Sequence, residues 1–155
     1  MRFHLPAFVD RRTTALVFAC VTLISISIFA AVAQTYGTIT DVEIVRVYDG
    51  ATFFVAIESY PAIVGAEIGI RVRGIDCPEI RASCRREREL AVTARDFVRA
   101  VLASAERVDL VAVERGKYFR IVATVLVDGV DLSELLIERG LAVRYEQRDE
   151  IDWCE

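Results

Sequence analysis

Hydrophobic and polar positions change their period several times along this chain, and each change marks an element. Val42–Val47 and Thr52–Ile57 are β-rich runs on either side of Asp49-Gly50, a hairpin signal. Residues 60–67 contain Pro61 and Gly65 and read as a loop. Ile68–Arg73 resumes the alternation, so Arg71 and Arg73 leave one face of a strand and Val72 the other. From Cys84 to Ala105 the period lengthens to that of a helix. Leu90, Ala94, Phe97, Val98, Val101 and Leu102 share one face, with charged residues opposite. Val108–Val113 and Arg120–Val127 predict two more strands, the second turning at Asp128-Gly129. Ser133 as N-cap and Gly140 as C-terminal stop bracket a short helix. Strands interrupted by helices at one end suit a small barrel with a covered mouth. There is no internal repeat, low-complexity tract or second globular domain in this pattern.

Ahead of these elements the pattern is different. Arg2, Arg11 and Arg12 precede an uncharged apolar run from Ala15 to Ala33, and Ala31-Val32-Ala33 has the small-x-small form of a signal-peptidase site. The run is near the lower length for a membrane-spanning helix, so residues 1–34 fit both a signal peptide and a membrane anchor. In either case the basic residues come first, which places residues 35–155 outside the cytoplasm: periplasmic, secreted or anchored through residues 15–33.

Composition narrows the chemistry. The chain has 155 residues, 19 of them basic and 23 acidic. Residues 1–34 hold Arg2, Arg11, Arg12 and Asp10, so the remainder carries 16 basic and 22 acidic groups, a net charge of −6. Nucleic-acid binding normally rests on a basic footprint, so here it requires a local cluster. Arg81, Arg85, Arg86 and Arg88 form one along the chain, although Glu87 and Glu89 interleave with them as on a solvated helix face. His4 is the single histidine and lies in the N-terminal segment, which argues against a histidine-assisted serine or cysteine hydrolase and against a zinc site. Cys20 falls in the apolar run, leaving Cys77, Cys84 and Cys154, enough for one disulfide and a remaining thiol. Cys84 opens the long helix, and Cys154 ends a polar tail with little else to hold it. Their pairing is expected, with Cys77 a free buried thiol, and would close a loop worth roughly 4 kcal/mol in chain entropy.

The densest chemistry lies in I-R-V-R-G-I-D-C-P-E-I, residues Ile70–Ile80. Arg71 stands on the strand, Gly74 and Pro78 mark its exit, and Asp76 and Glu79 lie on the turn. A cation for phosphate beside carboxylates for metal and proton transfer is what phosphodiester hydrolysis requires. Taken alone, the segment reads equally well as a strand edge with surface charges. Three further motifs stand in register with it: V-R-V-Y-D-G-A-T at Val45–Thr52, G-K-Y-F-R-I-V-A at Gly116–Ala123, and D-G-V-D-L-S-E-L-L-I-E-R-G-L-A at Asp128–Ala142.

Together these motifs, over roughly residues 40–154, resemble the thermonuclease (staphylococcal nuclease-like) family. The resemblance implies a five-stranded OB-fold barrel with packed helices and calcium-dependent hydrolysis of DNA or RNA by a monomer. It implies that Arg71 contacts the scissile phosphate, Arg120 stabilises charge on the phosphoryl oxygens, and Glu79 acts as general base. Asp76 and the backbone carbonyl of Cys77 correspond to calcium ligands, with Asp49 behind them. Lys117 and Tyr118 correspond to substrate-binding residues, whereas Tyr145, which matches only loosely, is expected to pack. The family turn reads D-G-D-T and its second aspartate binds calcium, but here Ala51 occupies that position. Gly116 and Phe119 likewise replace an aspartate and a glycine. The expectation is therefore a nuclease of weakened activity, with a non-catalytic module binding nucleic acid or protein as the alternative.

Overall fold

The computed structural model describes residues 35–155. The signal-peptide or anchor reading of residues 1–34, with Cys20 and the hydrophobic helix expected there, lies outside the described residues. The strands are β1 (Glu43–Val47), β2 (Thr52–Ala56), β3 (Ile68–Val72), β4 (Ile75–Asp76), β5 (Val108–Arg115), β6 (Ile121–Val127), β7 (Val130–Asp131) and β8 (Val143–Arg144). The helices are α1 (Ala62–Gly65), α2 (Arg85–Ser104) and α3 (Leu132–Glu138), followed by a 3₁₀ turn over Tyr145–Glu150.

Five strands form a mixed sheet in the order β1-β2-β3-β6-β5, with β7 added to β6. All neighbours are antiparallel except β3 and β6, where Ile70 faces Ile121 and Arg71 faces Val122 in parallel register. A parallel pair requires a long crossover, and residues between β3 and β6 supply one that contains α2 and β5. The sheet curls into a half-barrel of OB-like form. The segment just ahead of β1 bonds to the far edge strand: Ile39 and Leu110 exchange backbone hydrogen bonds at 2.9 and 2.8 Å, and the Val42 N–H donates to the Val108 carbonyl at 3.0 Å. A second, two-stranded sheet pairs β4 with β8.

The period-2 alternation becomes the core directly. Phe53, Val55, Ile70, Val72, Leu110 and Val125 point inward and are buried. Helix α2 covers one end of the sheet with a stripe of Ala91, Ala94, Val98 and Leu102, so Ala91 joins the face read from the sequence, while Leu90, Phe97 and Val101 lie at its edges. Small residues on this stripe matter for the site. A Cβ at Gly50 would lie 2.8 Å from the Ala94 Cβ and 3.0 Å from the Cys77 Sγ, so helix and turn meet where only glycine fits.

Two local expectations are corrected. The loop over residues 60–67 contains the single-turn helix α1, started by Pro61, whose fixed φ suits a helix entry. The N-cap of α3 is Asp131 rather than Ser133: its Oδ1 accepts from the Ser133 N–H at 2.8 Å and from the Ser133 hydroxyl at 2.7 Å. Gly140 does end α3, with a φ of +66° and its N–H on the Ile137 carbonyl at 2.9 Å.

Candidate nuclease-type site

Strand β3 ends at Val72, and Gly74, with a φ of +74°, turns the chain so that β4 doubles back beneath Arg71. The Arg71 Nη2 donates to the Ile75 carbonyl at 3.2 Å and reaches the Asp76 Oδ1 at 3.4 Å. Both partners use one nitrogen, and Nε and Nη1 have no protein partner among the described residues. The pair is partly solvated, with side-chain exposures of 27% and 32%, so an incoming anion can compete with Asp76 for the guanidinium. Pairing of Asp76 with Val143 of β8 fixes the turn from its other side.

Arg71, Asp76, Cys77 and Glu79 line one cavity of about 250 Å³, together with Tyr48 and Asp49. Glu79 is exposed at its rim, and its backbone N–H donates to the Glu87 Oε1 of α2 at 3.1 Å. Arg120 is not in that cavity. It lines an adjoining one of about 320 Å³ with Arg71, Arg73, Lys117 and Tyr145, so Arg71 is the residue common to both. The Arg120 stem lies over Gly69, where a Cβ would meet its Cγ at 3.0 Å, and its Nε donates to the Lys117 carbonyl at 3.4 Å. Seven of the expected residues, Asp49, Arg71, Asp76, Cys77, Glu79, Lys117 and Arg120, thus line two adjoining cavities rather than one.

The remaining candidates separate. Tyr118 is outside both cavities and strongly exposed, with the Arg120 guanidinium 5.5 Å from its ring centroid. Tyr145, expected to pack, is instead half-exposed in the cavity with Arg71 and Arg120, held there by its N–H on the Gly74 carbonyl at 2.9 Å. Of the arginines after the turn, Arg85 pairs with Glu89 at 2.6 Å and Arg88 donates to the Ala82 and Ser83 carbonyls, which is a solvated helix face. Two contributors were not singled out from the sequence. Arg73 lines the second cavity and pairs with Glu114 at 2.9 Å, and the period-2 pattern had already put it on the Arg71 face. Glu87 holds the Glu79 backbone, and no local spacing marks it, because the two stand eight residues apart across the turn and the start of α2.

Cys77 is free and buried, and Cys84 lies at disulfide distance from Cys154, with sulfurs 2.14 Å apart. Burial pushes the Cys77 thiol from 9.0 up to about 12; the nearby Arg71 charge opposes this, and Asp49 and Asp76 add to it. The neutral thiol therefore contributes stability that is complete below the unfolded value near pH 9 and is lost as pH rises towards 12. Over that window the slope should be about 1.4 kcal/mol per pH unit. Urea unfolding at rising alkaline pH should show this extra loss in the native chain and not in Cys77→Ala. Parallel stability curves for the two proteins would rule it out.

The donor set does not fit a carboxylate-rich calcium site. A cation of this kind takes six to eight oxygens, with carboxylates prominent among them. Ala51 contributes no side-chain oxygen and has 0% exposure. The Asp49 Oδ1 is occupied by the Ala51 N–H at 2.8 Å, and Asp76 is already paired with Arg71. Among the described residues, Asp49, Asp76 and Glu79 do not bring three ligand oxygens within 4.8 Å of one another. The one group that meets this distance is Cys84, Glu87 and Cys154, whose sulfurs lie at disulfide distance from each other.

No curated protein matches the chain. The family model described as "Staphylococcal nuclease homologue" matches residues 69–153. That span holds Arg71, Asp76, Glu79 and Arg120 and covers more than half of the chain, so the protein belongs to the staphylococcal nuclease homologue family.

Proposed function

We propose that this domain acts outside the cytoplasm on single-stranded DNA or RNA, binding its phosphates and hydrolysing a phosphodiester slowly. The observation that carries this reading is the sharing of Arg71 between the cavity of Asp76 and Glu79 and the cavity of Arg120 and Lys117. A phosphate lying at Arg71 has a carboxylate on one side and a second guanidinium on the other. Glu79 would take the proton of the attacking water, whose oxygen forms the new bond to phosphorus as the bond to the leaving nucleotide oxygen breaks. Arg71 and Arg120 would hold the non-bridging oxygens as negative charge accumulates there. With calcium ligation incomplete, the phosphoryl oxygen is polarised by these cations alone, which is why slow turnover is expected.

The export reading rests on the N-terminal charge and hydropathy pattern. A binding module without turnover is the second reading, favoured by the enclosed methyl of Ala51 where the family places a carboxylate. The full chain, incubated with labelled single-stranded DNA with calcium and with chelator, separates them. Slow cleavage that Glu79→Gln abolishes by about a hundredfold is expected. Tight binding with no cleavage under either condition would leave the module reading alone.

A further inference from the structure

On the far side of Arg120 a third cavity, also about 320 Å³, has a different chemistry. Its rim carries aromatic rings that a soluble surface would not ordinarily leave out: Tyr36 is 67% exposed, Phe119 57% and Tyr60 41%. The rings stand on fixed backbone. The Tyr36 N–H donates to the Val113 carbonyl at 2.7 Å, which ties it to β5. Tyr60 is backed by Gly65, where a Cβ would approach the Tyr60 Cβ to 2.7 Å. Phe119 projects from the turn before β6 with a φ of +58°, and the Arg115 guanidinium lies 5.6 Å from its ring centroid.

Charge narrows the occupant. Arg115 and Arg120 line this cavity, and its one acid, Glu114, is paired with Arg73 at 2.9 Å. The surface thus offers flat apolar faces beside cations, and a nucleobase with its phosphate is complementary to both. Bases within a duplex do not expose their faces, so the matching ligand is single-stranded. The volume lies within the range of ordinary small-ligand pockets. Continuity sets the path of the strand. Arg120 is common to this cavity and the one with Lys117, and Arg71 is common to that one and the cavity of Glu79.

We propose that the cavity of Tyr36, Tyr60 and Phe119 is a stacking subsite for a nucleobase of the single strand whose phosphodiester lies at Arg71 and Arg120. It rests on the reading of that site as a nucleic-acid site and extends it to a base away from the reacting phosphate.

The test uses the full chain, a fluorescently labelled oligothymidylate and anisotropy in chelator, read before slow cleavage accumulates. Tyr36→Ala and Phe119→Ala, both at exposed positions, should each weaken binding by about tenfold, while Tyr36→Phe retains it. An oligonucleotide with an abasic position in the subsite should bind as weakly, and Tyr36→Ala should weaken it no further. Arg115→Glu should also weaken binding and flatten its salt dependence. Circular dichroism of each variant confirms that the fold is retained. If Arg71→Ala weakens binding but the aromatic variants do not, the subsite is overturned and the proposed function stands. If the native chain binds no oligonucleotide, both fall. Aromatic variants that lose a proline-rich peptide while keeping the oligonucleotide would also overturn the proposal.

Discussion

Ala51→Asp is expected to give this domain a calcium response that its native turn does not support. The backbone there is already fixed from both sides: the Ala51 N–H donates to Asp49 at 2.8 Å, and the Ala51 carbonyl accepts from the Val72 N–H at 2.9 Å. The substitution therefore adds a carboxylate to a held turn and need not rebuild it. In chelator that carboxylate replaces a methyl with no exposure, and an unpaired buried charge costs about 3 kcal/mol. Thermal unfolding of the variant should accordingly begin lower than that of the native chain, and calcium should recover most of the difference by ligation beside Asp76. Cleavage of single-stranded DNA should rise about a hundredfold in calcium, since a bound cation polarises the phosphoryl oxygen and positions water. Glu79→Gln in the same background should remove the gain. A variant that folds by circular dichroism yet shows neither calcium stabilisation nor faster cleavage would mean that more than one ligand has been lost, and the binding-module reading would prevail.

Cys154→Ser is expected to cost about 4 kcal/mol, the chain-entropy value for opening a loop of this span, with 70 residues separating Cys84 from Cys154. Little else holds the tail. The 3₁₀ turn over Tyr145–Glu150 buries no residue, and Trp153 is only partly covered. The same tail carries Tyr145 into the cavity with Arg71 and Arg120, and the Cys154 sulfur lies 3.9 Å from the Glu87 carboxylate that receives the Glu79 N–H. Loss of the tether should therefore weaken oligonucleotide binding as well as lower the urea midpoint. Reduction of the native protein with dithiothreitol should reproduce both effects, whereas Cys77→Ala should retain its sensitivity to reductant because Cys77 takes no part in the bond. Identical unfolding midpoints for the oxidised and reduced chains would exclude a stabilising tether.

The half-barrel and its long helix were legible from the sequence because hydrophobic period is a local property. Strands β1, β2, β3, β5 and β6 begin within one residue of the runs that alternate, and α2 spans Arg85–Ser104 where the period is helical. The family was legible for a related reason: its groups cluster on short segments, so β3 and the turn that follows it carry Arg71, Asp76 and Glu79 at fixed offsets. Ala51 was likewise visible as a departure before any contact was known.

What the sequence left open depends on partners distant along the chain. Asp131 and Ser133 are both good caps, and Asp131 takes the role because its pairing with Leu126 of β6 sets where β7 stops and α3 starts. Tyr145 faces a cavity because its N–H meets Gly74, a residue 71 positions earlier. Arg120 stands one cavity away from Glu79 because the parallel register of β3 and β6 places it over Gly69 rather than beside the turn. The aromatic rim joins Tyr36, Tyr60 and Phe119 from three separate loops, and no spacing in the sequence could bring them together. Strand pairing and helix packing decide such positions, because side-chain direction follows from local backbone geometry but proximity follows from which strands hydrogen-bond.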